Sequence, residues 1–387
     1  MRHYKHFESS YILRQLVIGC LVTVSSIGTI YSADKDIAIY TIREMSMGGA
    51  VTTITHDDAA LMFNPAGLAR IKGTTVKAPR LTAAVGTEFV NSFSKLQDLK
   101  SVDSDGSEIV NQLIGTNGSL RIGLAPLIAV TSKGIGGSLY GGSDINLAIN
   151  HDGSFDMSGY VDAVAAAGIG RTLQLMGQTF DVGISLKAIS RSNLYDKLTG
   201  NSAIYLSEAD LIARINDETL KDAFSQYSAL GIGIDIGALM DVSIASIPGT
   251  VGFAVRNIGA TLTGEQEVGT GNIIRTRTVS ESLPLIANIG LSLKPSVPLI
   301  GELLLAADYR INPASNFFNG LRMGVEKKLF FDTVHLRGGI SQGYIVGGLG
   351  IDLRVLHLDF GYFARELGTV PGQVQDPMMC AELGILF

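Results

Sequence analysis

Tryptophan is absent from the 387 residues and cysteine occurs twice, at Cys20 and Cys380. Two thiols at opposite ends imply no disulfide framework, and without a CxxC pair or a Cys/His cluster at zinc spacing no structural zinc module is encoded. Charge is scarce as well. Asp, Glu, Lys and Arg make up 17% of the chain, against a usual value of about 25%. The net charge of -6, with no block of five or six basic residues, leaves no footprint for a nucleic-acid partner. Beyond residue 33 no stretch reaches the roughly 18 uninterrupted apolar residues that a membrane-crossing helix needs. A G-x-S-x-G nucleophile elbow is missing too. The glycine patterns "GIGIDIG" and "GGLGIDLR" open no helix, so they read as strand glycines and not as phosphate loops. No enzyme, no cofactor and no metal is expected.

Glycine, by contrast, is abundant at 46 residues, and the N-terminus carries an export signature. Arg2, Lys5 and Arg14 precede an apolar core from Leu16 to about Ile30 and the small residues Ser32 and Ala33. That order predicts a secretory signal peptide over residues 1–33. The "VIGC" ending at Cys20 would instead mark a lipoprotein, but the apolar core continues past it.

What recurs in the rest of the chain is alternation with a period of two, the pattern of strands whose faces meet different environments. In "ALGIGIDIGALMD", Leu230, Ile232, Ile234 and Ile236 fall opposite Gly231, Gly233, Asp235 and Gly237. In "LHLDFGYFARE", Leu356, Leu358, Phe360 and Tyr362 fall opposite His357, Asp359, Gly361 and Phe363. About fourteen such runs can be counted, near 77–89, 119–131, 135–149, 154–170, 179–191, 227–240, 249–260, 284–293, 300–310, 319–329, 333–341, 344–354, 355–365 and 376–387. Most are about ten residues or longer, enough for a tilted strand to cross a bilayer, whereas soluble strands cluster near five or six.

A large β-sandwich also alternates, but its apolar faces point into a core and its strands are shorter. A closed barrel leaves no bare backbone edge in hydrocarbon. The expected fold is therefore all-β: an antiparallel transmembrane barrel of about fourteen strands over residues 77–387, in the bacterial outer membrane. Its apolar residues face outer-membrane lipid. Asp235, Arg256, Asp308, Arg322, Glu326, Arg337, Asp352 and Asp359 face a lumen. The connections tend to alternate between long and tight, as in outer-membrane barrels. The loop at about 192–226 should carry a helix, with another near Glu108 to Ile114, and 261–283 reads as a further long loop. The chain ends on Phe387, and a terminal aromatic closing an alternating strand resembles the signal read by the barrel-assembly machinery.

Ahead of the alternation lies "MGGAVTTITHDDAALMFNPAGLARI", Met47 to Ile71. His56, Asp57 and Asp58 are poor metal ligands, since sequence neighbours rarely converge on one ion. Thr55 or Asp57 is better placed to cap a short helix that Asn64 ends, because the residue before a proline avoids the helical region. His335 and His357 read as ordinary lumen polar residues.

An exported chain with this stretch resembles the FadL superfamily of outer-membrane barrels, and within it the PorV-like branch. The residues that carry the resemblance are Met47, Gly48, Gly49, Ala50, Asp57, Asp58, Ala59, Asn64, Pro65, Ala66, Gly67 and Leu68. It implies fourteen strands and an N-terminal segment, here residues 34–76, that folds into the lumen as a plug. It also implies a function: transport of small hydrophobic molecules such as long-chain fatty acids, which leave the barrel sideways. The alternatives are a PorV-like barrel that holds exported protein cargo, and a purely structural surface protein. The chain departs from the fatty-acid transporters in its short N-terminal segment of about forty residues, which lacks their helix-rich hatch.

Overall fold

The computed structural model describes residues 36–88, 90, 106–175, 177–217, 219–270, 273–311, 317–366, 372 and 375–385. The expected signal peptide and Phe387 lie outside them. Fourteen strands form the wall. The first seven are β1 (Arg80–Gly86), β2 (Thr116–Ser132), β3 (Ile135–Ile149), β4 (Phe155–Leu175), β5 (Gln178–Asp196), β6 (Phe224–Ile244) and β7 (Ile247–Thr270). The rest are β8 (Ile286–Leu293), β9 (Leu304–Ile311), β10 (Leu321–Leu329), β11 (Val334–Ser341), β12 (Tyr344–Asp352), β13 (Leu356–Glu366) and β14 (Gln375–Ile385). Each pairs antiparallel with the next, and β14 pairs with β1 from Met378↔Gly86 to Gly384↔Arg80, which closes the barrel. Every expected run falls on one of these strands.

The alternation explains the closure. Leu230, Ile232, Ile234 and Ile236 on β6 are exposed, while Gly233, Asp235 and Gly237 between them are buried. The same holds on β13, where Phe360 and Tyr362 look outward and Asp359 is buried. Such a surface is stable only where the outside is apolar, and closure leaves no unpaired edge to be desolvated. Among the described residues no helix is long and apolar enough to cross a membrane. A closed antiparallel barrel with an even strand number, an apolar outer face and a polar lumen is an outer-membrane barrel.

Connections also follow that architecture. At one end they are tight, as at 133–134, 245–246 and 353–355; at the other lie the long segments 87–115 and 197–223. Short turns belong on the periplasmic side and long loops outside. The loop helices are α3 (Gly106–Leu113) and α4 (Glu208–Asn216), numbered after two in the N-terminal segment, α1 (Ile42–Ser46) and α2 (Ala60–Phe63). Val110, Leu113, Leu211 and Leu206 bury one another and bind the two loops into a small external cluster.

Two expectations need correction. The stretch 261–283 is not a loop: β7 runs on to Thr270, and Ile273–Ser282 pairs back along it from Ile273↔Thr270 to Ser282↔Thr261. Its Thr-rich sequence favours strand, but its buried and half-buried apolar residues, Leu262, Val268, Val279 and Leu283, are too sparse to form a run of alternation. The first strand is also shorter than 77–89. Thr74–Lys77 pairs with β2 and then breaks at Ala78-Pro79 before β1 begins, because proline cannot donate to the ladder.

Candidate functional site

Inside the barrel lies the insert of residues 36–71, and its seating begins with backbone groups that β-pairing does not use. Carboxylates of the wall accept its amides. Asp162 takes Ala38 N at 2.8 Å, Glu382 takes Ile42 N at 3.2 Å, and Asp308 takes both Val51 N and Thr52 N at 2.8 Å. Hydrogen bonds to a charged partner contribute about 1.5–3 kcal/mol each, so the insert is a seated element rather than a loose lid. Ion pairs add to this. Asp36 bridges Arg256 at 3.2 Å and Arg310 at 2.9 Å, and Arg43 meets Glu326 at 3.0 Å, which in turn holds Arg337 at 2.8 Å. Burial works to raise the Asp36 carboxyl, but the two guanidinium groups outweigh it and hold it far below the usual range. Glu44 has less compensation. Burial pushes it up to about 7 against the pull of Arg256, Arg310 and Arg322.

The residues of the Met47–Ile71 stretch have distinct places. After α1, Gly48 and Gly49 take positive φ values of 66° and 81°, a turn that glycine adopts without strain. A side chain on Gly48 would collide with the backbone oxygens of Ile340 and Met323, at 2.4 and 2.5 Å. Asp57 Oδ1 accepts Ala59 N at 3.1 Å, yet the N-cap of α2 is Ala59, with no side-chain bond, so in place of the expected helix cap Asp57 forms an Asx turn two residues ahead of it. Lys77 pairs with Asp57 at 2.7 Å and with Asp58, and Arg80 reaches Asp58 at 3.7 Å. The two acids thus tie the insert to the start of the wall. Lys77 holds Asp57 low despite burial, while burial and its acidic neighbour raise Asp58.

Asn64 is fully buried and serves twice: Oδ1 accepts Ala66 N at 3.2 Å and Nδ2 donates to Thr52 O at 2.8 Å. Its extended backbone, with φ -154° and ψ 100°, ends α2 and starts the 3-10 turn Pro65–Arg70, with Pro65 at the first position, where its missing N–H is no loss. Gly67 passes so close to Thr55 that a Cβ would lie 1.9 Å from its carbonyl oxygen.

Glycines of the wall supply the room. A Cβ on Gly237 would stand 1.9 Å from Asn64 Oδ1, on Gly183 2.2 Å from Pro65, on Gly324 2.5 Å from Met47 O, and on Gly142 1.5 Å from Ala38 O. The lumen-facing glycines on β3, β5, β6 and β10 therefore form a groove for the insert's backbone. The remaining sequence-predicted lumen residues all point inward. Asp235 pairs with Lys187 at 2.5 Å, Arg256 donates to Met62 O at 3.3 Å, Arg322 lies against Gly49, and Arg337 holds Asp359 at 2.8 Å.

The sequence reading did not anticipate an apolar seam inside the barrel. Val164, Ile189, Tyr195, Tyr227, Ala260, Leu262 and Leu283 are buried in one cluster with Leu61, Met62, Phe63 and Leu68 of the insert. On β5 these residues share the inward face with Lys187 and Arg191, so a rule of apolar-outward alternation passes over them.

Toward the outer end the wall is incomplete among the described residues. β1 pairs with β2 only as far as Val85↔Leu120 and with β14 only as far as Gly86↔Met378. Beyond it β2 continues through Thr116–Ser119 against β3 alone, and β14 through Gln375–Pro377 against β13 alone. A cleft of about 520 Å³ opens there, lined by Gly86, Glu88, Ser119, Leu147, Met157, Asp376 and Pro377 among others. Charges that are already paired lie beside it. Arg365 bonds Asp376 at 2.7 Å, Asp144 at 2.9 Å and Asn146 at 2.7 Å. Arg121 bonds Asp144 at 2.8 Å and covers the Tyr40 ring at 4.2 Å.

Among solved structures, the chain is similar to a deletion mutant of the monoaromatic hydrocarbon channel TodX, with a TM-score of 0.52, 12% identity, and coverage of 91% of this chain and all of that one. The Ralstonia pickettii toluene transporter TbuX is a weaker match, with a TM-score of 0.48 at 13% identity over 90% of this chain and 98% of that one. The likeness to the TodX channel is one of fold, a closed antiparallel barrel of fourteen strands. No family model and no curated protein matches the sequence.

Proposed function

We propose that the protein carries small hydrophobic molecules across the outer membrane, with long-chain fatty acids as the first class to test. The observation that carries this reading is the cleft at the end of β1. It is a pocket of about 520 Å³, within the usual range for small ligands, where among the described residues the wall loses backbone pairing between β2 and β14. Leu147, Met157 and Pro377 give the cleft apolar lining beside the acids Glu88, Asp156 and Asp376, and the apolar seam from Tyr227 to Phe63 offers a surface deeper in. The seated insert closes the lumen to bulk water, so what passes must follow the wall. The similar channel TodX is described by its monoaromatic hydrocarbons, which makes toluene the second substrate to compare.

The test is uptake of labelled oleate and of labelled toluene by liposomes carrying the purified protein. Uptake above protein-free liposomes is expected, and Ser119→Trp, which fills the cleft, should reduce it by about tenfold. If neither solute enters while secreted proteins co-purify with the barrel, the transport reading fails and the secretion-associated one takes its place. The external cluster of α3 and α4 would then be the surface for that cargo.

A further inference from the structure

We propose that His357, Asp359 and Glu382 form a binding site for one divalent transition-metal ion of the zinc class, on the lumen face near the periplasmic rim, independent of any transport role. Asp359 on β13 and Glu382 on β14 are direct cross-strand partners, and both are buried, at 1% and 2% exposure. Like charges directly opposite one another on a sheet repel, so this pairing persists only with positive charge between the two. The group that stands there is His357. Its Nε2 lies within ion-pair range of both, 3.3 Å from Asp359 Oδ2 and 3.4 Å from Glu382 Oε1, but is well aligned for a hydrogen bond with neither, and Asp359 Oδ1 is buried without a hydrogen bond.

The spacing is the deciding magnitude. Donors about 2.0–2.1 Å from a tetrahedral zinc ion stand about 3.3–3.4 Å from one another. The three donor atoms are mutually within 4.8 Å, so small rotations of the carboxylates complete the set. The surroundings also match a metal site. Asp352 accepts from Nδ1 of the same imidazole and bonds His335 Nε2 at 2.9 Å, which fixes the ring so that Nε2 faces inward, the carboxylate–histidine arrangement found behind metal ligands. Glu382 Oε2 is held by Thr82 at 3.0 Å and by Ile42 N at 3.2 Å, which turns Oε1 toward His357 Nε2. Arg337 donates to Asp359 Oδ2 at 2.8 Å and Arg80 to Glu382 Oε1 at 3.4 Å, the same two oxygens that face His357, so an ion would share them with the guanidinium groups. Against these two cations stand the three carboxylates of Asp352, Asp359 and Glu382. Entry is past Asp352, whose side chain is 34% exposed. An ion here would clip β13 and β14, the last hairpin, to the insert through Glu382.

The experiment uses untagged full-length protein, extracted in detergent and stripped with a chelator, then titrated calorimetrically with zinc chloride. One equivalent should bind, and His357→Gln and Glu382→Gln should each weaken it at least tenfold while the heat-modifiable band of the folded barrel persists. Asp352→Asn should weaken it about tenfold or more through the ring it holds. Should a variant fail to fold, cobalt chloride added to the native protein gives a variant-free reading. Intense tetrahedral absorption bands support the site, and a spectrum no different from cobalt in buffer overturns it. Absence of zinc binding, or binding unchanged by His357→Gln, means that the imidazole is only an ion-pair partner and overturns the proposal.

Discussion

At the scale of single residues, the lumen is held by charges that water does not reach. Lys187 and Asp235 are both fully buried and lie 2.5 Å apart, and the other Asp235 oxygen accepts Asn257 N at 2.9 Å. Removing one member of such a pair strands the other charge, at a cost of about 3–5 kcal/mol, whereas replacing both by apolar residues is often nearly neutral. Asp235→Ala should therefore lower the unfolding free energy in urea by that amount, and Lys187→Met with Asp235→Leu should recover most of it. A single mutant that costs no more than the double would mean that the pair is solvated. The inward direction of Asp235 was legible from its place opposite Leu230, Ile232 and Ile234. Its partner was not, because Ser185 is its register neighbour and Lys187 stands one pair away, beside Gly233. Register belongs to the sheet and not to either strand's sequence. The same limit hid the cross-strand approach of Asp359 to Glu382.

At the scale of elements, the strands were readable because each has to satisfy two environments at once, and that demand writes itself into every second position. Inward apolar residues such as Ile189, Tyr195 and Tyr227 were missed because they answer to the insert, which no local pattern describes. The wall glycines had looked like mere strand glycines. In the structure several are seats: Gly237 receives Asn64 and Gly183 receives Pro65, each at a distance that a methyl group would occupy. Gly237→Ala should push the Asn64 turn off the wall, at about 1–3 kcal/mol for overpacking. A cysteine at Ala66, fully buried in the native protein, would report it through several-fold faster labelling by a water-soluble maleimide. Gly123→Ala is the control, since its Cβ would meet only ordinary contacts at 3.5 Å and beyond. Equal labelling in the two backgrounds would show that the seat at Gly237 does not hold the turn.

At the scale of the whole molecule, the question is what the insert contributes to the barrel. Eight-stranded barrels fill with their own side chains and sixteen to eighteen strands leave an aqueous channel, so fourteen strands enclose more room than side chains alone occupy. Here that room is taken by residues 36–71, whose amides satisfy the wall carboxylates of Asp162, Asp308 and Glu382. Without the insert those carboxylates would not be left dry, because water would enter and solvate them. Deleting residues 36–71 should thus leave a barrel that still folds and migrates as a heat-modifiable band, but one that conducts ions. In planar bilayers the intact protein is expected to stay near the baseline, and the deleted form to open a steady, ohmic conductance that grows with salt. A deleted barrel that folds and conducts no better than the intact one would mean that the wall closes on itself, and the insert would then be a brace instead of a plug.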